Sequence, residues 1–154
     1  MKFNLGCGTQ KKAGYVNVDR SEAVKPDVLA DITVLPWKWA KTNSAERIEM
    51  DNLAEHIEPY LWIRVVRECH RVLKPDGVLW LKVPELRPGN EMAAFSDPTH
   101  VNFFTIQTSD YYYYKHPRWQ AFGRAYGIPP FERIENRRHS VFLLISLRKR
   151  KDGC

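Results

Sequence analysis

The sequence lacks several features that would assign it to a special class of protein. No run of about twenty apolar residues is present, so no membrane-spanning helix is predicted. Only three of the 154 residues are cysteine, Cys7, Cys69 and Cys154, and none forms a CxxC pair. Their number and spacing argue against a disulfide framework or a zinc site. The first residues also lack the order of a secretory signal, so we expect a cytoplasmic protein without a resident metal ion.

Size and composition favour one globular domain. With 154 residues, of which 44% are hydrophobic, the chain can build a core, and we expect residues 1–154 to form a single domain. We find no internal repeat. The formal net charge of +6 favours polyanions without requiring them, and a basic run, Arg148 to Lys151, contributes to it.

Apolar periodicity predicts alternating strands and helices. Four short segments are typical of strands: residues 2–5, 15–18, 27–30 and 47–50. Pro59 suits the first turn of a helix whose apolar positions recur as far as Leu73. A turn at residues 74–77, with Pro75 and Gly77, should end this helix. Residues 78–83 are apolar on both faces, as in a central parallel strand.

The last part of the sequence predicts an antiparallel hairpin. One strand covers residues 131–134 and the other residues 140–147, joined across residues 136–139. Residues 84–117 are rich in turns and aromatic side chains, which suits a lid or a substrate-binding segment. The whole order predicts an α/β fold, with a Rossmann-like, doubly wound and mostly parallel sheet, an antiparallel C-terminal hairpin and a minimal N-terminus.

Two glycines and an aspartate stand where predicted strands end. Gly6 and Gly8 directly follow the first strand, and Asp19 ends the second. Glycine lets the backbone approach a ligand closely, and a carboxylate at the next strand end can accept both hydroxyls of a ribose. The pattern predicts a nucleoside-containing cofactor. The glycines alone are weak evidence, because the third glycine of the dinucleotide fingerprint is missing.

Further residues at strand ends strengthen this prediction. Asp31 follows the third strand and is placed to accept a hydrogen bond from an adenine amino group. Met50 and Asp51 end the fourth strand, beside the expected position of the reactive part of the ligand. Ligands of such sheets bind at the carboxyl edge, so these side chains should line one cleft.

Six short segments stand in order over about the first two thirds of the chain: NLGCG at 4–8, GYVNVD at 14–19, ADI at 30–32 with LPW at 35–37, LAEHI at 53–57, LKPDG at 73–77 and DPTHVNFFT at 97–105. In these segments and their order, the sequence resembles the small class I S-adenosylmethionine-dependent methyltransferases.

The resemblance implies a seven-stranded sheet, S-adenosyl-L-methionine as cofactor and a role for each matching residue. Transfer of an activated methyl group mainly requires alignment of the acceptor and exclusion of water, which fits the absence of a Ser-His-Asp arrangement. The implied contacts are Gly6, Cys7 and Gly8 around the methionine part, Asp19 at the ribose, Asp31 and Ile32 at the adenine, and Met50 and Asp51 beside the sulfonium.

Two features depart from the family. The link between Gly8 and the second strand is too short for a crossover helix of about a dozen residues. We therefore expect Lys11 or Lys12 to supply positive charge for the cofactor's carboxylate, although both lysines could equally be solvated. Nothing precedes the first strand, where relatives often place helices, so we expect an open cleft for a large substrate or a covering partner.

Histidines and one acid are the candidates for catalysis. His100, in the aromatic segment, is suited to take a proton from an oxygen or nitrogen nucleophile, or equally to fix its loop by a hydrogen bond to Asp97 or to a backbone carbonyl. Asp51 is expected to position the acceptor. We expect a structural or cleft-lining role for His56 and a solvated position for His70.

Three functions compete at this point. The leading one is an S-adenosylmethionine-dependent methyltransferase acting on an O or N nucleophile of a small-molecule or nucleic-acid acceptor. A nicotinamide-dependent oxidoreductase is disfavoured by the missing glycine and by the terminal hairpin. The third is a non-catalytic module that keeps the fold and acts on nucleic acid or a protein partner. The sequence leaves the oligomeric state open, and a homo-oligomer is one of the options.

Overall fold

The computed structural model describes residues 1–151, so Cys154 lies outside the described residues. Seven strands within this range form one mixed sheet in the order β3-β2-β1-β4-β5-β7-β6. The strands are β1 (Lys2–Leu5), β2 (Val16–Asp19), β3 (Val28–Leu29), β4 (Ala45–Asp51), β5 (Leu73–Pro84), β6 (Phe131–His139) and β7 (Phe142–Lys149). The α-helices are α1 (Pro59–Val72) and the short α2 (Glu91–Phe95), and short 3-10 or π turns cover Glu22–Val24, Ala54–His56, Thr108–Tyr111 and Trp119–Gly123.

The strand order confirms the predicted α/β fold. Strands β1 to β5 pair in parallel, and β7 pairs antiparallel with both β5 and β6. The chain runs outward from β1 through β2 to β3, then returns to the other side of β1 as β4. This reversal creates a topological switch point between β1 and β4, where the carboxyl ends of the strands open a crevice for a ligand.

Burial of apolar side chains explains the central strands and the long helix. Phe3 and Leu5 of β1 are buried, and Leu5 lies in register with the buried Met50 of β4. Helix α1 begins at Pro59. Proline suits this position because the first N–H groups of a helix have no partner within the helix, so its missing N–H loses no hydrogen bond. Its apolar stripe, including Val65 and Cys69, is buried in the core.

The hairpin is longer than the sequence predicts. Residues 136–139 belong to β6 instead of the connection, and the turn falls at Ser140 and Val141, where Ser140 has φ +57°. Strand β6 lies at one edge of the sheet. A polar stretch such as residues 136–139 can remain in strand conformation at an edge, because its outer side needs no partner strand.

The junction between α1 and β5 also differs from the prediction. The helix ends at Val72, and β5 starts at Leu73, so residues 74–77 lie within the strand instead of forming a separate turn. The backbone of this stretch is nevertheless irregular. Asp76 has φ +65°, and the pairing register between β5 and β4 shifts between Ala45 and Arg47. Because Pro75 has no backbone N–H to donate to β4, it fits where the hydrogen-bond ladder between these two strands is interrupted.

Other expectations about local structure have mixed outcomes. The link between β1 and β2 holds no helix, as its length predicts. His70 is not solvated: it is half-buried at the end of α1, and its ring packs edge-on against Phe131 with centroids 5.0 Å apart. Within residues 1–151, none of the helices has the length and apolar character needed to cross a membrane.

Candidate active site

A cavity of about 400 Å³ opens at the carboxyl ends of β1 and β2. Its volume lies in the range of small-molecule and cofactor sites. Most of its walls come from the four loops that follow β1, β2, β3 and β4, as expected for a doubly wound sheet. The lining residues are Gly6, Asp19, Arg20, Ala30, Asp31, Ile32, Thr33, Leu53, His56, Ile57 and Thr99.

The glycine turn after β1 needs glycine for two reasons. Gly6 has φ +63° and Gly8 has φ +49°, a region that disfavours side chains. At Gly6 a Cβ atom would also lie 2.7 Å from Leu53 Cδ1, whereas at Gly8 it would meet no atom within 4 Å. Gly6 therefore allows Leu53 to pack directly on the backbone at the cavity wall.

Asp19 holds this turn against the end of β2. Its Oδ2 accepts a hydrogen bond from the Gly8 N–H at 2.8 Å, and its Oδ1 accepts one from the Ser21 N–H at 2.9 Å. A carboxylate has about four acceptor positions, so two remain after these bonds. Asp19 lines the cavity, and its contact with a ribose stays a prediction.

Asp31 and Ile32 form the far wall of the cavity. The Oδ1 atom of Asp31 accepts hydrogen bonds from the Thr33 N–H at 2.8 Å and the Thr33 hydroxyl at 2.7 Å. The indole N–H of Trp37 donates to the main-chain oxygen of Ile32 at 2.8 Å. These bonds fix the loop after β3, so the wall is formed before any ligand arrives.

A second cavity, of about 220 Å³, shares Gly6 with the first. It is lined by Asn4, Gly6, Cys7, Gly8, Thr9, Gln10, Lys12, Asp51 and Asn52. Asp51 approaches Lys82, with Oδ1 and Nζ 3.0 Å apart. The two cavities flank the glycine turn, which gives the site a larger and a smaller compartment.

The two lysines of the β1–β2 link have different environments. Lys12 lines the smaller cavity, and its Nζ lies 2.7 Å from Glu49 Oε2. Lys11 donates a hydrogen bond to the main-chain oxygen of Lys25 and does not line either compartment. Of the two predicted candidates for binding a ligand carboxylate, the geometry therefore favours Lys12.

Replacing Lys12 by alanine should weaken the binding of S-adenosylhomocysteine about fivefold, because an ion pair between this partly exposed lysine and the ligand carboxylate would contribute up to about 1 kcal/mol. The matched control is Lys11→Ala, which should leave the dissociation constant unchanged. Isothermal titration calorimetry of both variants measures the difference. Equal affinities for the two variants would remove Lys12 from the site.

Two predicted contact residues are more deeply placed than the rest. The Met50 side chain is fully buried in the core and lines neither compartment. Cys7 is buried at the smaller compartment, where burial, with a contribution from the charge of Asp19, raises the pKa of its thiol. This thiol is therefore a packing group and a poor nucleophile.

A cluster of Glu55, His56 and His100 lies beside the larger cavity and was not predicted as a unit. One potential ligand atom from each of the three side chains lies within 4.8 Å of the other two. Glu55 is only 2% exposed, and burial raises the pKa of its carboxyl group to about 7. Of the three, only His56 lines the cavity itself.

Two loops bring the cluster together. The main-chain oxygen of Glu55 accepts hydrogen bonds from the Val101 and Asn102 N–H groups at 2.9 and 3.0 Å. The rings of His56 and His100 pack edge-to-face, with centroids 4.8 Å apart. The segments LAEHI and DPTHV were the available sequence signal, but nothing in the sequence shows that their loops meet.

Comparison with known proteins identifies the fold. No protein-family model matches the sequence, and no curated protein matches it. Among solved structures, an S-adenosylmethionine-dependent methyltransferase of Archaeoglobus fulgidus is 14% identical, with 96% of this chain and 85% of that chain covered and a TM-score of 0.63. A second such methyltransferase, from Thermotoga maritima, is 18% identical, with 97% and 82% covered and a TM-score of 0.64.

A third similar structure was determined with ligands. It is the 1,6-didemethyltoxoflavin-N1-methyltransferase of Burkholderia thailandensis, with bound 1,6-didemethyltoxoflavin and S-adenosylhomocysteine. It is 15% identical, with 97% of this chain and 71% of that chain covered and a TM-score of 0.62. From its strand order and these structural matches, the chain described here has the fold of the class I S-adenosylmethionine-dependent methyltransferases.

Proposed function

We propose that this protein binds S-adenosyl-L-methionine and catalyses transfer of its methyl group to an oxygen or nitrogen nucleophile. The acceptor is a small molecule or a nucleic acid. The observation that carries the proposal is the pair of compartments on either side of Gly6, with Asp19 in the wall of the larger one. This arrangement suits a ligand with a nucleoside at one end and a charged amino acid at the other.

The residues present fit this cofactor. In our proposal the larger compartment holds the adenosine, with Asp19 at the ribose hydroxyls and Asp31 and Ile32 at the adenine. The smaller compartment holds the amino-acid end, near Lys12. Both compartments share Gly6, and a side chain there would collide with Leu53 in the wall of the larger one.

When bound, the cofactor supplies a methyl group activated by the positive charge on sulfur. The protein then has to orient the acceptor and keep water away. Ile57 and Leu53 give the cavity apolar walls, and His56 and Thr99 give it a polar edge. We propose that the acceptor enters at this polar edge, with Asp51 positioning it from the neighbouring strand end and His100 as the predicted proton acceptor.

Ligand binding provides the first test. Calorimetry should detect one molecule of S-adenosylhomocysteine per chain and no uptake of NAD, which separates this proposal from a nicotinamide-dependent oxidoreductase. Uptake of NAD alone would contradict the proposal. Labelled S-adenosylmethionine should then transfer its label in a single turnover to hydroxyl- or amine-bearing acceptors. Binding without any transfer would favour the non-catalytic module acting on nucleic acid or a protein partner.

A further inference from the structure

We propose that Glu55, His56 and His100 bind a divalent transition-metal ion at the edge of the larger cavity. The three side chains, called here the Glu55 cluster, offer one carboxylate and two imidazoles within 4.8 Å of one another. This inference departs from the sequence-based expectation of no metal. That expectation rested on cysteine spacing, which does not bear on a site built from histidine and glutamate.

The first argument is the unsatisfied burial of Glu55. Neither of its carboxylate oxygens has a hydrogen-bond partner in the described part of the chain. The amide groups of Val101 and Asn102 donate to its main-chain oxygen and leave the side chain unpaired. Burial of a polar group without a partner is costly, and a buried carboxylate is normally paired or coordinated to a metal. A cation between the three side chains accounts for this burial.

The second argument is the protonation of the two imidazole rings. His100 Nδ1 lies 2.8 Å from the main-chain oxygen of Ala94, which can only accept, so Nδ1 carries the proton. The Thr99 hydroxyl donates its proton to Asp97 Oδ1 at 2.6 Å and therefore accepts from His56 Nδ1 at 2.9 Å. With the proton on Nδ1, the lone pair of each ring in its neutral form lies on Nε2.

This pattern is the one that metal-ligating histidines show. Such a histidine usually donates its other ring N–H to a carbonyl, a carboxylate or water, which fixes the ring and its tautomer. His100 uses a main-chain carbonyl for this purpose, and His56 uses Thr99, which is itself held by Asp97. The surroundings therefore orient both rings before an ion binds.

Distances and donor types select the kind of ion. Two ligand atoms that each lie about 2.1 Å from a tetrahedral ion are about 3.4 Å from each other. The three ligand atoms of the Glu55 cluster lie within 4.8 Å of one another, so small side-chain rotations would bring them to this spacing. Two imidazoles and a carboxylate favour Zn²⁺, Co²⁺ or Fe²⁺ over Mg²⁺ and Ca²⁺, which prefer oxygen ligands.

Three protein ligands leave at least one coordination position open. Because His56 lines the cavity, an ion held by the Glu55 cluster would lie beside the space in which the acceptor is proposed to lie. An ion there would bind an acceptor hydroxyl and lower its pKa. This part rests on the proposed methyltransferase function and narrows the acceptor to an oxygen nucleophile. A metal-bound His100 Nε2 would not accept a proton, so the metal role replaces the role of base.

The test is Co²⁺ binding to the 154-residue chain after its metals have been stripped with EDTA. We expect one Co²⁺ per chain, a visible absorption spectrum typical of nitrogen and oxygen ligands, and a higher Tm with the ion. Glu55→Gln, His56→Gln and His100→Gln should each weaken binding about 10- to 100-fold or more. The control His116→Gln changes a histidine that lies 3.6 Å from Asp110, outside the cluster, and should bind Co²⁺ as the wild type does.

Two results would overturn the inference: absence of saturable Co²⁺ binding to the folded wild type, or equal binding by Glu55→Gln and wild type. Thermal unfolding in EDTA keeps the test valid if a variant is less stable, because only the gain in Tm on adding Co²⁺ is compared. Titration with S-adenosylhomocysteine is run in parallel. Co²⁺ binding without S-adenosylhomocysteine uptake would support the metal site and contradict the proposed function, and the reverse would contradict the metal site alone.

Discussion

Replacing Asp19 by alanine is expected to weaken the binding of S-adenosylhomocysteine about 100-fold, or about 2.7 kcal/mol. The carboxylate stands in the wall of the larger cavity and has acceptor positions beyond those used by Gly8 and Ser21. Hydrogen bonds to a charged group contribute about 1.5–3 kcal/mol each, and a ribose offers two hydroxyls. Calorimetric titration of the folded variant gives the change directly.

The matched control for this experiment is Asp27→Ala. Asp27 also accepts a backbone hydrogen bond at the sheet, from the Asn17 N–H at 2.7 Å, but it does not line the cavity. Loss of a comparable structural bond should leave the affinity of the folded protein close to that of the wild type. Wild-type affinity in Asp19→Ala, or an equal loss in both variants, would contradict a direct contact between Asp19 and the cofactor.

The second large effect is a fall in the free energy of unfolding at acidic pH. Burial, with a smaller contribution from the positive charge of Lys149, lowers the pKa of His70 from 6.5 to about 4. The unfolded chain therefore binds the proton more readily than the folded protein between these two pH values. The contribution of His70 to the free energy of unfolding is complete above pH 6.5 and is lost as the pH falls towards 4. The loss amounts to at most about 3 kcal/mol, because solvent screens this partly exposed ring.

The variant His70→Gln tests this assignment, because glutamine does not titrate. Chemical denaturation between pH 7 and pH 4 should show a smaller fall in the free energy of unfolding than the wild type. His139→Gln, at the exposed end of β6, is the control and should follow the wild-type curve. Parallel pH curves for His70→Gln and wild type would show that another group carries the acid sensitivity.

Local pattern was sufficient to predict most of the sheet. The apolar segments at β1, β2, β4 and β5 are strands because their alternating or continuous apolar side chains fill the core. The length of β6 was missed, because polar residues such as Arg137 indicate a loop unless the strand is known to lie at an edge. Edge position depends on how the whole sheet is ordered.

The position of the candidate site was likewise predicted in part from the sequence. Gly6 and Asp19 line the larger cavity and Gly8 lines the smaller one, because residues that end adjacent parallel strands meet at one edge of the sheet. Met50 stands at the predicted strand end, yet its side chain points into the core. Which side of a strand faces the ligand depends on the packing of both sheet faces. The contacts of these residues with a cofactor stay predictions.

The sequence by itself determined the class of fold and the strand-end residues of the cleft, because strand period, glycine turns and terminal acids act over a few neighbouring positions. Only the tertiary structure decided the pairing of two distant loops that joins Glu55 to His100, and the packing of His70 against Phe131. Contacts between residues far apart in the chain depend on how several elements pack at once. A local sequence pattern therefore does not predict that packing.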